Sequence, residues 1–322
     1  MDDRDRRQDS GSLRPETWAT LVDAVVAGHC TPFLGAGIGV PYLPTGAKLA
    51  TDLATEFKYP LDDVTNLARV TQYIASSFDA PYVKRRVCER IVQAQAAATE
   101  QLAGGLPQNY TTVARLGLPI YITTNYDDYL ERAIASTSST TKYQREICRW
   151  SEILLSDFPS YSKIKPTPSS PMVFYLHGHV SVQNSILVTE DDYIDFTVSL
   201  GQGPTAKADA MIPHFVRRAL GNTNLLFIGY SLEDWNFRVL MRHLMKQQQV
   251  QPHSRSSSIS IQLSATNMPA ERRERAEKFL ESYLKTSSSI DVYWGDAQSF
   301  LDRLYQEVVR SRAGSSAALL NG

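Results

Sequence analysis

The chain has 322 residues, 43% of them hydrophobic and 21% charged, an ordinary globular composition with enough apolar mass for one large core or two smaller ones. Its 33 Lys and Arg against 34 Asp and Glu leave a formal net charge of −1, so no global field draws it to an anionic membrane, and nucleic acid enters the expectation only indirectly. No apolar run approaches the roughly 20 residues that cross a bilayer, and Met1 to Ser12 is polar and charged rather than signal-like, which predicts a cytoplasmic location with no membrane contact.

Residues 1–13 and 313–322 are small or polar and predict disordered tails around a folded body of 14–312. That body opens on a helix from Glu16 towards Cys30, with Pro15 near its start and Trp18, Leu21, Val22, Val25 and Val26 at helical spacing. A short strand, Cys30–Leu34, then breaks into three alternate glycines, Gly35, Gly37 and Gly39. Glycine tolerates positive φ and lets an anion approach free backbone N–H groups, but the spacing is not GxGxxG and Pro41 obstructs a helix in the usual place. A phosphate loop and a plain tight turn are both open at this point.

Thr45 can cap a helix bearing Leu49, Leu53 and Phe57, and helical periodicity returns over Val64–Ile74 and Tyr82–Leu102, defining a helical insert of about 62–105. Pro119–Thr123 reads as a buried strand that ends in Thr124-Asn125-Tyr126-Asp127, with a helix from Asp128 to Ile134. A third strand, Pro171–Leu176, ends in His177-Gly178-His179. A fourth, Leu225–Ile228, ends in Gly229-Tyr230-Ser231-Leu232 before a helix over Asp234–Lys246. Ile259–Leu263 and Ile290–Trp294 complete the strands, each followed by a helical segment, while Ser156–Pro171 and Gln247–Ser258 read as polar connections. Strands alternating with helices predict an α/β fold, a parallel sheet with helices on both faces plus the helical insert. Ligands of such sheets sit beyond the carboxyl ends of the strands, where the unusual polar residues of this chain collect.

Four of these strand ends, in order, resemble the sirtuin-like (silent information regulator type) NAD⁺-consuming family. Gly35-Ala36-Gly37-Ile38 looks like its phosphate loop, Asn125-Tyr126-Asp127 like its Asn-x-Asp motif, His177-Gly178 like its catalytic His-Gly, and Gly229-Tyr230-Ser231 like its ribose loop. The resemblance implies a Rossmann-like sheet with NAD⁺ as substrate. It also has departures: Gly39 stands where family deacylases usually carry a serine, and no paired cysteines follow His177-Gly178. Cys30, Cys88 and Cys148 are isolated, so no structural zinc is expected. The pattern is similar to the bacterial antiphage-defence branch of the family, whose members hydrolyse NAD⁺. The resemblance therefore implies an NAD⁺ glycohydrolase that depletes NAD⁺. The alternatives are an NAD⁺-dependent protein deacylase and a non-catalytic nucleotide-binding scaffold subunit.

Breaking the nicotinamide–ribose bond passes through an oxocarbenium-like centre, so the site must hold the sugar and deliver water. His177, expected to titrate near neutrality, can serve as general base, and the neutral amide of Asn125 can fix the water or the ribose. The resemblance gives Asp127 to the nicotinamide carboxamide. Gly35, Ala36 and Gly37 would offer N–H groups to the pyrophosphate, and Gly229 and Ser231 lie on the ribose or phosphate side. Each has a plainer alternative: Asp127 and Ser231 can cap the helices that follow, and His179, with no third ligand in view, reads as structural. No GxSxG elbow supports a Ser-His-Asp hydrolase. An NAD⁺-depleting chain needs restraint, and the insert's apolar residues (Val64, Leu67, Tyr73, Ile74, Tyr82, Val83, Val87, Ile91 and Val92) predict a homo-oligomer gated by a sensor or ATPase partner.

Overall fold

A computed structural model of the chain describes residues 13–158, 160–163, 165–201, 211–230, 258–262 and 269–320. Seven strands form one parallel sheet: β1 (Cys30–Leu34), β2 (Ile120–Thr123), β3 (Gln144–Ile147), β4 (Met172–Tyr175), β5 (Asn224–Ile228), β6 (Ser258–Gln262) and β7 (Ile290–Trp294). Their order across the sheet is β3-β4-β2-β1-β5-β6-β7. The chain leaves β1 towards β2 on one side and returns to β5 on the other, so β1 stands where the strand order reverses. In open parallel sheets the ligand crevice lies at such a reversal.

β1, β2, β4 and β5 are buried along their whole length, as strands covered by helices on both faces must be. The helices among the described residues are α1 (Pro15–Val26), α2 (Gly46–Glu56), α3 (Leu67–Ser77), α4 (Ala80–Gln101), α5 (Gln108–Arg115), α6 (Tyr129–Thr137), α7 (Glu152–Asp157), α8 (Glu190–Gly201), α9 (His214–Asn222), α10 (Ala270–Ser288) and α11 (Ala297–Leu320). Sequence chemistry sets their starts. Thr45, Asn66, Asp79 and Ser151 each accept a hydrogen bond from a first-turn N–H of α2, α3, α4 and α7, and Pro15 and Pro81 occupy first-turn positions of α1 and α4.

The core has two parts. The larger one fills the space around the sheet, with Phe33, Tyr121, Phe174 and Phe227 at its centre. The smaller one lies under α2, α3 and α4, where Leu53, Val70, Ile74, Val83 and Val87 close on Ile186 and Val188. Val83, Val87, Ile74 and Ile91 are thus buried within their own chain, so the apolar count of the insert no longer argues for assembly. The reason is that the insert covers the segment after His177-Gly178, where Ile186 and Val188 give its apolar residues further surface to match.

Two expectations meet a different outcome. The edge strand β3 had no counterpart among the expected elements, because its sequence, Gln144-Arg145-Glu146-Ile147, is polar on an edge open to solvent. The last helix runs on to Leu320, through the stretch from Ala313 expected to be a tail, and Ala and Leu are strong helix formers. The glycine run, by contrast, behaves as Pro41 predicts: it forms only a short 3₁₀ turn, Ala36–Gly39, and no α-helix starts there. The expected N-terminal tail, the helix over Asp234–Lys246 and nearly all of the connection Gln247–Ser258 lie outside the described residues.

Candidate active site

One row of the sheet aligns the functional strand ends. Leu34 pairs with Thr123 on one side and Ile228 on the other, and Thr123 pairs with Tyr175. Two residues beyond that row, Asn125 and His177 leave adjacent strands at the same height, and the Leu176 N–H still donates to Thr123 O at 2.8 Å. Gly35 and Gly229 follow β1 and β5 at the same level, so the sequence-predicted residues Gly35, Ala36, Gly37, Asn125, His177 and Gly229 share one edge of the sheet. Ser231 lies outside the described residues.

The glycines are explained by backbone meeting backbone. The Gly35 N–H donates to Ile228 O and the Gly37 N–H to Gly229 O, each at 2.9 Å. A Cβ on Gly229, whose φ is +78°, would stand 2.3 Å from Ile38 N, and one on Gly35 would stand 2.7 Å from Gly229 O. Two of the three N–H groups expected to meet a pyrophosphate are therefore engaged with the end of β5. Only the Ala36 N–H has no acceptor among the described residues. The loop is pinned because β1 and β5 are neighbours and their ends must pass within contact distance.

Asn125 is nine-tenths buried, and its amide is held on one side only. Nδ2 donates to Gly35 O and to the Tyr110 hydroxyl, both at 3.1 Å, while Oδ1 is buried with no described partner. A carbonyl can only accept, so the atom facing Gly35 O must be the nitrogen, and this fixes the oxygen as the free group. An orphaned buried acceptor is costly and points to a missing donor such as a water or a ligand hydroxyl.

Asp127 is more deeply buried and fully engaged: Oδ1 accepts from the Tyr129 N–H at 3.0 Å and Oδ2 from the Tyr110 hydroxyl at 3.2 Å. Burial pushes its carboxyl up to about 6, against the hydrogen bonds from Tyr129 and Tyr110 that pull it down. It thus holds the start of α6 and the Tyr110 hydroxyl in this structure, which is the plainer of its two expected roles.

His177 departs from expectation in its titration. Its ring lies edge-on to Tyr193 and Phe196, with centroids 5.6 and 5.9 Å away, and no described group hydrogen-bonds to it. Burial pushes its pKa from 6.5 down to about 3, so the imidazole is neutral rather than poised near neutrality. The aromatic rings of α8, which the sequence did not place, supply that environment. Gly178, at φ +90°, lets the chain turn beside Ser185, where a Cβ would stand 2.2 Å from the carbonyl oxygen. His179 is buried: Nδ1 accepts from the Ser181 N–H at 3.1 Å, its ring packs on Tyr175, and Nε2 has no described partner.

Tyr110 and Tyr230 escaped the sequence reading. Tyr110 sits on α5, where the buried spacing Tyr110, Val113, Ala114 behind Pro107 was the available signal. The Tyr230 hydroxyl donates to Leu34 O at 2.9 Å and lies 2.7 Å from Thr124 Oγ1, bridging the ends of β1 and β2. Among the described residues no three His, Cys, Asp or Glu side chains are arranged so that they could hold a metal ion. The cysteines are buried and separate, with desolvation raising the Cys30 thiol to about 12 and the Cys88 thiol to about 11.

A seven-stranded parallel sheet whose reversal point carries a pinned glycine turn, a half-satisfied asparagine and a neutral histidine is that of a Rossmann-like α/β protein. A SIR2-like domain model matches residues 119–286, more than half of the chain, and the chain belongs to that family. It is 23% identical over 213 residues to the NAD(+) hydrolase ThsA of Acinetobacter baumannii, covering 66% of this chain and 38% of that protein. It is also 23% identical to the NAD(+) hydrolase ThsA of Enterococcus faecium over 235 residues (72% of this chain, 43% of the relative). The protein of that name from Bacillus cereus matches at 23% over 211 residues, 65% of this chain and 38% of the relative. The chain thus spans about two fifths of the length of these curated relatives.

Proposed function

We propose that the chain is an NAD⁺ glycohydrolase that releases nicotinamide and leaves ADP-ribose, and that it works as an NAD⁺-depleting effector in antiphage defence. The observation that carries the chemistry is the buried Asn125 Oδ1, without a partner and one strand away from His177. Loss of nicotinamide leaves positive charge on the ribose, and an amide oxygen is the group to orient an attacking water or hold a ribose hydroxyl beside it. His177 enters neutral and accepts the proton that water or hydroxyl releases. A pyrophosphate bound at the same sheet edge raises its basicity by bringing negative charge near the ring. The Ala36 N–H is the backbone donor left for that anion. The names of the relatives support the substrate, and the defence role rests on the resemblance of the motifs.

Incubation with NAD⁺, with released nicotinamide quantified, tests the reading directly. Asn125→Ala and His177→Ala should each lower turnover by about 10²-fold or more while cooperative unfolding is retained. Full turnover in both folded variants would remove the assignment. NAD⁺ binding without cleavage by the native chain would favour the nucleotide-binding scaffold instead.

A further inference from the structure

We propose that Tyr110 is a positioning residue of this site: its hydroxyl, between Asp127 and Asn125, holds the Asn125 carboxamide in the rotation that presents Oδ1 to the substrate. Donors and acceptors fix that rotation. Asp127 Oδ2, 3.2 Å from the Tyr110 hydroxyl, has Oδ1 already accepting from the Tyr129 N–H, and an ionised carboxylate can only accept. The single hydroxyl proton of Tyr110 therefore goes to Asp127, and its lone pairs face Asn125 at 3.1 Å. They require a donor there, and Nδ2 is the donor. Gly35 O, on the other side of the same nitrogen at 3.1 Å, makes the same demand.

Either acceptor alone would leave the amide room to swing. Together they clamp both Nδ2 protons, and Oδ1 is left as the buried atom without a described partner. Tyr110 is itself fully buried and packs edge-on to Tyr129 at 5.6 Å, so its hydroxyl has one place to be. Asp127 remains ionised at neutral pH, although burial raises it to about 6, and so keeps the polarity of the chain running from Asn125 through Tyr110 to Asp127. A tyrosine that only filled space would need none of these oxygens.

The inference rests on the NAD⁺ reading for its kinetic consequence but not for its geometry, and two readouts on Tyr110→Phe separate them. The first is hydrogen exchange of the Asn125 side-chain amide by NMR in the ligand-free chain, assigned by its absence in Asn125→Ala. Exchange should be slow in the native protein and at least about tenfold faster in Tyr110→Phe, since one of two clamping acceptors is gone. An unchanged exchange rate would overturn the proposal. The second is steady-state NAD⁺ cleavage, where kcat should fall about tenfold or more with KM little changed, the pattern of a group that acts through the transition state. A variant that keeps native kcat overturns the positioning role. Should the native chain cleave no NAD⁺, the functional reading fails and the exchange measurement alone still decides this one. Should Tyr110→Phe not fold, because Asp127 is left buried with one donor fewer, the exchange is measured on Tyr110→Phe/Asp127→Asn, which removes that charge, and the same two outcomes apply.

Discussion

Gly229 shows how much a single missing Cβ can hold. It turns through φ +78° while Ile38 N lies where its Cβ would be, at 2.3 Å. Gly229→Ala meets two penalties: left-handed backbone strain of about 1–3 kcal/mol and a backbone clash that separates the ends of β1 and β5. Expected is a destabilised chain with a clearly lower denaturation midpoint, together with lost nicotinamide release. A native midpoint in urea would show that the close approach is not required. The positions of these glycines were legible in the sequence as a turn after a strand. Which of their N–H groups remain available was not, because Gly35 and Gly37 donate to β5, almost two hundred residues away, and no local pattern encodes that partner. The same holds for His177. Its place at a strand end could be read, but its neutrality comes from Tyr193 and Phe196 on a helix the sequence did not place there.

Among the elements, the insert does more than cover the sheet. Lys84 on α4 reaches Asp192 on α8 at 2.8 Å, both side chains being buried, and its ammonium lies 4.8 Å from the Trp150 ring centroid. Asp192 also accepts from the Val188 and Thr189 N–H groups, and Thr71 on α3 donates to Val188 O at 2.8 Å. The segment held in this way includes Leu187, whose N–H donates to His177 O at 2.9 Å. Lys84→Met keeps the bulk and leaves Asp192 charged with two N–H donors, so the loss should sit near the low end for a broken buried pair, about 3 kcal/mol by urea unfolding. Val92→Ala, an exposed position on the same helix, should change stability by less than about 0.5 kcal/mol. Equal effects at the two positions would deny the pair its role. The helices α2, α3 and α4 were legible from periodicity, α2 also from its Thr45 cap, and six of the seven strands from apolar runs. Their contact with the Ile186–Val188 segment was not, because an apolar stripe specifies that it is buried without specifying against what.

At the scale of the whole molecule, the buried titratable groups of the site set how the fold answers to acid. Burial lowers His177 to about 3 and His179 to about 4 from an ordinary 6.5, so below pH 6.5 the unfolded chain takes up two protons that the folded chain refuses. Stability conferred by the neutral rings is present above pH 6.5 and is lost as pH falls, at about 1.4 kcal/mol per pH unit for each histidine. Asp127 works the other way. Its folded pKa of about 6 lies above its ordinary 3.8, so between these values the folded chain holds a proton the unfolded chain does not, which offsets one histidine. From pH 6 to about 4.5 these three groups leave a net uptake of one proton on unfolding, and they should contribute a decline in stability of about 1.4 kcal/mol per pH unit as the solution is acidified. Urea unfolding across that range should show the slope. In His179→Gln the remaining histidine and Asp127 should cancel, and the slope over the same interval should be shallower by about 1.4 kcal/mol per pH unit even if the variant is less stable at every pH. An unchanged slope in that variant would mean that His179 charges as readily in the folded chain as in the unfolded one, and that the ring buried against Tyr175 is not the source of the acid sensitivity.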